Sequence, residues 1–174
     1  MDHVIEAAAS GRAKCRGCGE KLAKGEWRFG ERFPNPFGEG LATHWYHPPC
    51  AAFKRPAPFL DALEEVRSAL GDVSELEHEA RLGIEHRRVP RVDGAGRAPT
   101  ARARCRSCRE PIAKDVWRIG LVYYEDGRFQ PSGFVHAGCA ADYFGTVELM
   151  PRIRYFAREL TLQELEAIEQ AIGA

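Results

Sequence analysis

A chain of 174 residues with 44% apolar side chains is long enough to bury one ordinary hydrophobic core or two small ones. Its 25 basic and 25 acidic side chains cancel, so the net charge counts mildly against binding to nucleic acid, and local patches of charge decide it. The sequence has no run of eighteen apolar residues, and its N-terminus has acidic residues where a signal peptide has a basic start. We therefore expect a soluble intracellular protein, in the cytoplasm or nucleoid of a bacterium or in the nucleus of a eukaryote.

Two pairs of potential metal ligands flank a short β region in the first half of the chain: Cys15 with Cys18, and His47 with Cys50. Between the pairs, the alternating segment WRFGERF (27–33) predicts a strand. It runs into FPNPFGEG (33–40), whose prolines and glycines predict a turn-rich loop. We expect Trp27 to pack in the core beside the ligands.

Helices are predicted after the second ligand pair. Apolar residues recur at helical spacing from Phe59 to Leu70, and a further helix begins at Ser74, where Glu77 completes a capping box. The next segment, RVPRVDGAGRAPT (88–100), is rich in proline, glycine and arginine and has no hydrophobic periodicity. This composition predicts a linker.

The second half of the chain repeats the first. GRAKCRGCGEKLAKGEWRFG (11–30) aligns with ARARCRSCREPIAKDVWRIG (101–120), and HPPCAA aligns with HAGCAA further on. The repeat also ends in a predicted amphipathic helix, which begins with a capping box of Thr161 and Glu164. Such a match predicts a duplicated structural unit.

All six cysteines fall within the repeated pattern, in which each half supplies three cysteines and one histidine: Cys15, Cys18, His47 and Cys50, then Cys105, Cys108, His136 and Cys139. Thiolate sulfur and imidazole nitrogen are the donors that zinc prefers, and four such ligands leave no open position for water or substrate. The pattern therefore predicts two structural Zn²⁺ ions and no catalytic metal.

Three other uses of these cysteines fit the pattern less well. Disulfides need an oxidising compartment, and three cysteines in each half pair badly. A thioredoxin-like redox pair needs one Cys-x-x-Cys and no recurring His-x-x-Cys. An iron–sulfur cluster is the remaining alternative, but such clusters usually take four cysteines.

Residues 10–50 carry a more specific signal in SGRAKC before the first cysteine pair, KGEWRFG leading into the strand, HWYHPPC at the closing pair, and the long spacing between the pairs. Together these features resemble the zinc fingers of poly(ADP-ribose) polymerases and of the DNA ligase that shares them. GDVSEL (71–76) is similar to the start of the family's C-terminal helix. The resemblance covers almost the whole chain as two copies, although the second copy has GFVH (133–136) where the first has HWYH.

The resemblance implies a small α+β, zinc-binding fold with two tandem zinc-finger domains of the poly(ADP-ribose) polymerase type. Each domain is expected to be a small antiparallel sheet held by a Cys3His zinc site and followed by helices. We expect the first finger and its helices in residues 1–87, a linker in 88–100, and the second finger with its helix in 101–174.

Fingers of that family recognise DNA strand breaks, so the resemblance implies a zinc-dependent protein that recognises nicks or termini irrespective of base sequence, in DNA damage sensing or repair. In the family, arginines beside the cysteine pair grip backbone phosphates, and a loop lays apolar side chains on an exposed base face. The matching positions are Arg12, Arg28, Phe37 and Leu41 in the first copy, and Arg102, Arg118, Tyr124 and Phe129 in the second.

The sequence offers no nucleophile, phosphate-binding loop or acid pair, so we expect no enzymatic activity. The expected partner is DNA with breaks or ends. A repair enzyme, an ADP-ribosyltransferase and a second copy of the chain are further candidates, and no membrane partner is expected. Two alternatives stay open: a zinc-stabilised protein-interaction module that has lost the DNA surface, and a redox sensor whose zinc thiolates release the metal on oxidation.

Overall fold

The structure, a computed structural model, describes residues 3–173. The chain divides between Glu85 and His86 into two compact units, which we call the first unit and the second unit. Each unit contains a three-stranded antiparallel sheet and helices that follow it. The predicted small α+β fold with two sheets is therefore confirmed. Within the described residues, no helix combines the length and the apolar character needed to cross a membrane.

The described part of the first unit runs in the order β1 (Val4–Ala7), β2 (Trp27–Pro34), β3 (Leu41–Tyr46), α1 (Pro48–Lys54), α2 (Pro56–Leu70) and α3 (Ser74–Glu85). In its sheet, β2 lies between β1 and β3, and both neighbours run antiparallel to it. Prolines begin α1 and α2. The first helical position suits proline because its missing N–H would have no intrahelical partner there.

Aromatic side chains form the core of the first unit where α2 packs on the sheet. Phe29 of β2, Tyr46 at the end of β3 and Phe59 of α2 are fully buried. The ring centroid of Phe29 lies 5.8 Å from that of Phe59, edge to face, and 5.9 Å from that of Tyr46. Such pairs add ~0.5–1.5 kcal/mol beyond the burial of apolar area. The apolar stripe that begins at Phe59 is therefore a core face.

The capping box predicted at the start of α3 does not form. Ser74 donates its backbone N–H and its hydroxyl to Asp72 Oδ1, at 3.0 and 2.7 Å. Glu77 instead accepts hydrogen bonds from Arg67 at 2.7 Å and Arg81 at 2.6 Å. These two guanidinium groups lower the pKa of Glu77 to about 2. Since both arginines draw the carboxylate along the helix surface, it does not reach back to the helix start, and this prediction is wrong.

The second unit repeats the layout with β4 (Val92–Arg97), β5 (Trp117–Glu125), β6 (Arg128–His136), α4 (Ala140–Phe144), α5 (Met150–Phe156) and α6 (Leu162–Gly173). Short 3₁₀ turns at Val89–Arg91 and Ala137–Cys139 precede β4 and α4. The predicted capping box of α6 is confirmed, because Thr161 N–H donates to Glu164 Oε2 at 2.9 Å and Glu164 N–H donates to Thr161 Oγ1 at 3.3 Å.

The segment predicted as a linker, residues 88–100, is part of the second unit. Its residues Val92–Arg97 form β4, which pairs with β5 and has a bulge between Val92 and Ala95. Two glycines and the bulge remove the alternation of apolar and polar residues by which a strand is recognised in sequence. The linker prediction is wrong for these residues.

Gly30 of β2 and Gly120 of β5 occupy equivalent positions of the repeat, yet their surroundings differ. A Cβ on Gly30 would lie 2.7 Å from the ring of Trp45 and 2.9 Å from the side chain of Thr43. The nearest atom to a Cβ on Gly120 would be 3.9 Å away. The first sheet is thus packed tightly at this point and the second is not.

We expect Gly30→Ala to destabilise the first unit by ~1–3 kcal/mol, because the added methyl group forces Trp45 or the strand to shift. The matched control, Gly120→Ala, should change the stability of the second unit by less than ~1 kcal/mol. Denaturant unfolding of the zinc-loaded variants, followed by tryptophan fluorescence, measures both changes. Equal destabilisation by the two substitutions would contradict the packing difference.

Candidate metal centres and nucleic-acid interface

The first candidate metal centre joins the turn after β1 to the start of α1. An antiparallel bridge between Lys14 and Lys21 closes the turn that carries the first cysteine pair. Four ligand atoms lie within 4.8 Å of one another, those of Cys15, Cys18, His47 and Cys50. A tetrahedral Zn²⁺ with ligands at ~2.0–2.3 Å requires a cluster of this size.

Backbone N–H groups surround the sulfur of Cys15. Gly17 and His47 each donate to Cys15 Sγ at 3.3 Å. Hydrogen bonding with Cys50, supported by these N–H groups, lowers the pKa of Cys15 to about 5, although burial acts in the opposite direction. Cys15 therefore favours the thiolate, which is the form of cysteine that binds a metal, whereas burial raises the pKa of Cys18.

The imidazole of His47 turns its Nδ1 toward the sulfurs, 3.4 Å from Cys18 Sγ. Its Nε2 lies 3.3 Å from the backbone oxygen of Lys21. With Nδ1 as the metal ligand, Nε2 carries the ring proton and donates it to this carbonyl. A hydrogen bond from the ring nitrogen that does not bind the metal fixes both the tautomer and the orientation of the imidazole.

The second candidate metal centre has the same construction. Its ligand atoms also lie within 4.8 Å of one another, and they belong to Cys105, Cys108, His136 and Cys139. His136 Nδ1 lies 3.4 Å from Cys108 Sγ and 3.8 Å from Cys139 Sγ. Burial acts to raise the pKa of Cys105, yet N–H donation from His136, Cys108 and Ser107 outweighs it and lowers the pKa to about 7.

The second centre is the more exposed of the two. Cys108 is exposed and Cys139 is half-buried, whereas their counterparts in the first centre, Cys18 and Cys50, are half-buried and buried. Desolvation still raises the pKa of the Cys139 thiol to about 12. Solvent and competing ligands therefore have a shorter path to the metal of the second unit.

Both clusters fit a closed zinc site. Three sulfurs and one imidazole nitrogen complete a tetrahedron, so a bound Zn²⁺ supplies a rigid cross-link and no open coordination position. All six cysteines are free of disulfide bonds, which leaves every sulfur available as a ligand. The prediction of two structural Zn²⁺ ions is confirmed by these ligand sets.

Residues 6–87 match the family model of the poly(ADP-ribose) polymerase and DNA-ligase zinc-finger region. The first unit is a zinc finger of this family. The second unit repeats its sheet order and its Cys3His ligand set. We therefore call the two units the first finger and the second finger, and the resemblance inferred from the sequence is confirmed for the first.

Curated relatives agree with this assignment. A poly(ADP-ribose) polymerase of Drosophila melanogaster is 26% identical over 140 residues, which cover 72% of this chain and 14% of that protein. Poly(ADP-ribose) polymerase 1 of Gallus gallus is 36% identical over 56 residues, or 31% of this chain and 6% of the relative. The Arabidopsis thaliana protein of the same name is 31% identical over 104 residues, or 60% and 10%. The chain thus spans at most 14% of the length of these three relatives.

Two of the predicted phosphate-contacting arginines stack on aromatic rings at equivalent positions of the fingers. The guanidinium carbon of Arg28 lies 3.5 Å from the ring centroid of Trp45, and that of Arg118 lies 3.5 Å from the ring centroid of Phe134. Arg28 also forms an ion pair with Glu6 at 2.6 Å and is only 9% exposed. The same scaffold therefore holds the two arginines in different electrostatic surroundings.

The predicted base-stacking residues also differ between the fingers. Phe37 is 96% exposed in the loop between β2 and β3, and Leu41 is 56% exposed at the start of β3. In the second finger, Tyr124 and Phe129 are half-buried and face each other across the β5–β6 hairpin, with ring centroids 4.9 Å apart. Of these four side chains, the structure leaves Phe37 and Leu41 open to solvent.

The remaining predicted contacts, Arg12 and Arg102, are exposed beside their cysteine pairs. Trp27, expected in the core, is 39% exposed, because it is the first residue of β2 and pairs with β1 but lies beyond the paired part of β3. Three residues outside the predicted set lie on the strands next to the stacked arginines Arg28 and Arg118: Glu6, Gly96 and Arg97. Extending the repeat toward the N-terminus would have revealed them, since that alignment matches Glu6 with Gly96 and Ala7 with Arg97.

We expect the purified protein to hold two zinc ions per chain, and Cys50→Ala and Cys139→Ala to hold one each, because three ligands no longer close a tetrahedron. The finger that loses its ion should unfold, since structural zinc contributes on the order of 10–16 kcal/mol per site. A chromophoric chelator should remove the ion of Cys50→Ala, held by the exposed second centre, faster than that of Cys139→Ala. Two ions in either variant, or equal release rates, would contradict the assignment.

Proposed function

We propose that the chain binds DNA at strand breaks or ends, irrespective of base sequence, and acts in DNA damage sensing or repair. The observation that carries this proposal is Phe37, a large aromatic side chain that is 96% exposed on a loop of a zinc finger of this family. The family match gives the class of ligand, and the exposed ring suggests which feature of DNA is recognised.

The loop that carries Phe37 is ordered by its own hydrogen bonds. Asn35 N–H donates to the backbone oxygen of Gly40 at 3.0 Å, and Phe37 N–H donates to Asn35 Oδ1 at 3.0 Å. The loop thus holds the ring away from the core of the finger. A single exposed apolar side chain is common, but Phe37 and Leu41 are exposed at the same loop, and apolar groups exposed together favour a ligand that covers them.

A base at a break is a suitable cover for this ring. Stacking of a base on an aromatic side chain contributes ~1–3 kcal/mol and tolerates any base. In a continuous duplex every base face is covered by its neighbour, whereas a nick or a terminus leaves one face open. Phe37 and Leu41 together therefore favour interrupted DNA over intact DNA.

Exposed arginines supply the attraction to the backbone. Arg12 and Arg102 lie on the surface just before the cysteine pairs of their fingers. Contacts to phosphates hold a protein on DNA without reading sequence, and each one makes binding weaker as salt rises. Such contacts fit a protein that recognises the form of the DNA and not its bases.

We propose further that the chain is a binding protein and not an enzyme. The family match is to a zinc-finger region, and each Cys3His ligand set leaves no open metal position for a reacting group. A repair enzyme or an ADP-ribosyltransferase recruited to the break would then supply the chemistry. The second candidate function is a protein-interaction module, which is favoured by the ion pair that neutralises Arg28 in the first finger.

Phe37→Ala should weaken binding to nicked and blunt-ended duplexes by about 5- to 150-fold, which corresponds to ~1–3 kcal/mol of lost stacking. Leu162→Ala is the matched control, because it shortens another apolar side chain that is 79% exposed, in α6. Fluorescence anisotropy with labelled duplexes at one fixed salt concentration measures both effects.

Closed circular duplex is the competitor in the same experiment. If it displaced the nicked probe as well as nicked DNA does, break recognition would be wrong even though DNA binding stood. If the zinc-loaded protein bound none of these DNAs, the protein-interaction module would become the favoured function.

A further inference from the structure

A groove of about 220 Å³ opens on the sheet of the second finger, lined among others by Arg118, Phe134, Arg97, Gly94, Gly96 and Gly120. A single bound water needs only ~10–15 Å³, so the groove has room for a whole side chain. The three glycines leave part of its wall without side chains. A side chain of another molecule can therefore enter the groove and approach the backbone closely.

The equivalent place in the first finger is filled by a carboxylate of the chain itself. Glu6 of β1 lies opposite Arg28 of β2 in the sheet register, and its Oε1 accepts hydrogen bonds from Arg28 Nη2 at 2.6 Å and Nε at 3.3 Å. The ring of Trp45 covers the guanidinium plane, with its centroid 3.5 Å from the guanidinium carbon. An arginine stacked in this way thus pairs with a glutamate through its N–H edge.

The second finger keeps the stacked arginine and lacks the carboxylate. Gly96 lies opposite Arg118 in the register, and the guanidinium carbon lies 3.5 Å from the ring centroid of Phe134. Within residues 3–173, Arg118 forms no ion pair. Burial lowers its pKa, yet an arginine remains protonated. A positive charge therefore borders the groove where the first finger holds a glutamate.

The other charged groups at the groove do not take the place of that glutamate. Asp93 is the one carboxylate among the lining residues, and it does not pair with Arg118. Arg97 lies over the ring of Trp117, 4.1 Å from its centroid, and its charge interacts with Glu164 of α6. Of the two guanidinium groups at the groove, Arg118 is thus the one available to an incoming anion.

The shape of the guanidinium and its surroundings suit a glutamate of another protein. Its fork of N–H groups matches a planar carboxylate, and the ring of Phe134 offers an apolar surface to the methylene groups of a glutamate. The hairpin beside the groove is closed by the half-buried rings of Tyr124 and Phe129, so this finger has no exposed aromatic tip for a base. Both features favour a protein ligand over DNA at this place.

We propose that the Arg118 groove of the second finger is a docking site for a protein partner and binds a glutamate side chain of that partner, in the place that Glu6 fills in the first finger. This inference goes beyond break binding, because it gives the second finger the recruitment of a partner protein. The recruitment to DNA rests on the proposed function, whereas the carboxylate site does not.

A capped glycine peptide with one central glutamate is the probe, and the same peptide with glutamine is its control. We expect the glutamate peptide at millimolar concentration to shift the Arg118 Nε–Hε resonance of the zinc-loaded full chain. The glutamine peptide should leave this resonance unchanged, because it lacks the charge. No shift with the glutamate peptide, or an equal shift with both peptides, would overturn the site.

Gly96→Glu rebuilds in the second finger the ion pair of the first and should block the groove. A Cβ on Gly96 meets nothing within 4 Å and the backbone there is not left-handed, so the substitution is sterically tolerated. Gly96→Gln fills the same space without the charge. We expect Gly96→Glu to bind the glutamate peptide about 10- to 100-fold more weakly than Gly96→Gln. Zinc content and thermal unfolding check that both variants remain folded, and equal peptide affinities would contradict the proposal.

Nicked duplex separates a protein ligand from the DNA backbone. We expect saturating nicked duplex to leave the peptide affinity unchanged, and Gly96→Glu and Gly96→Gln to bind this DNA within about twofold of each other, because the sites are separate. If nicked duplex displaced the peptide, or if Gly96→Glu alone lost DNA affinity, the groove would bind a phosphodiester and the proposal would be overturned. If the wild type bound the glutamate peptide but no nicked duplex, break binding would fail and the carboxylate site would stand.

Discussion

The cross-link between a cysteine turn and the start of a helix is the constraint on which each finger depends. In the first finger, Cys15 and Cys18 lie in a turn next to a three-stranded sheet, while His47 and Cys50 lie at the start of α1. So small a unit buries little apolar area, and a bound ion contributes more than any single contact within it. The N–H groups aimed at Cys15 favour the thiolate that the ion needs.

Because the metal cross-link stabilises the fold of each finger, the surface residues beside it can differ between the two fingers. The two fingers keep the same sheet order and the same ligand set, yet they place different partners around one stacked arginine. Glu6 neutralises Arg28, whereas Gly96 leaves Arg118 without an ion pair in the described chain. A single carboxylate thus separates a part-buried ion pair from an arginine that is stacked on Phe134 without an ion pair in the described chain, and the same sheet holds both arrangements.

The metal centres could be read from the sequence because ligand spacing is local and recurs in both halves. The strand β4 could not, since two glycines and a bulge hide its periodicity, and its pairing with β5 is set by the tertiary fold. The environment of Arg28 depends on Glu6, which lies 22 residues earlier and meets it only through strand register. Tertiary contacts decide the role of Glu77 in the same way. Arg67 on α2 and Arg81 on α3 bind its carboxylate, so it does not form the capping box that its spacing predicted.

X-ray absorption at the zinc edge of the purified full chain tests the central claim most directly. Two ions per chain should give one averaged first shell of three sulfurs at ~2.3 Å and one nitrogen at ~2.0–2.1 Å. The same shell should persist when nicked duplex is added, since the ions stabilise the fold and do not contact DNA. A shell of four sulfurs, a bound oxygen, or one ion per chain would contradict the account.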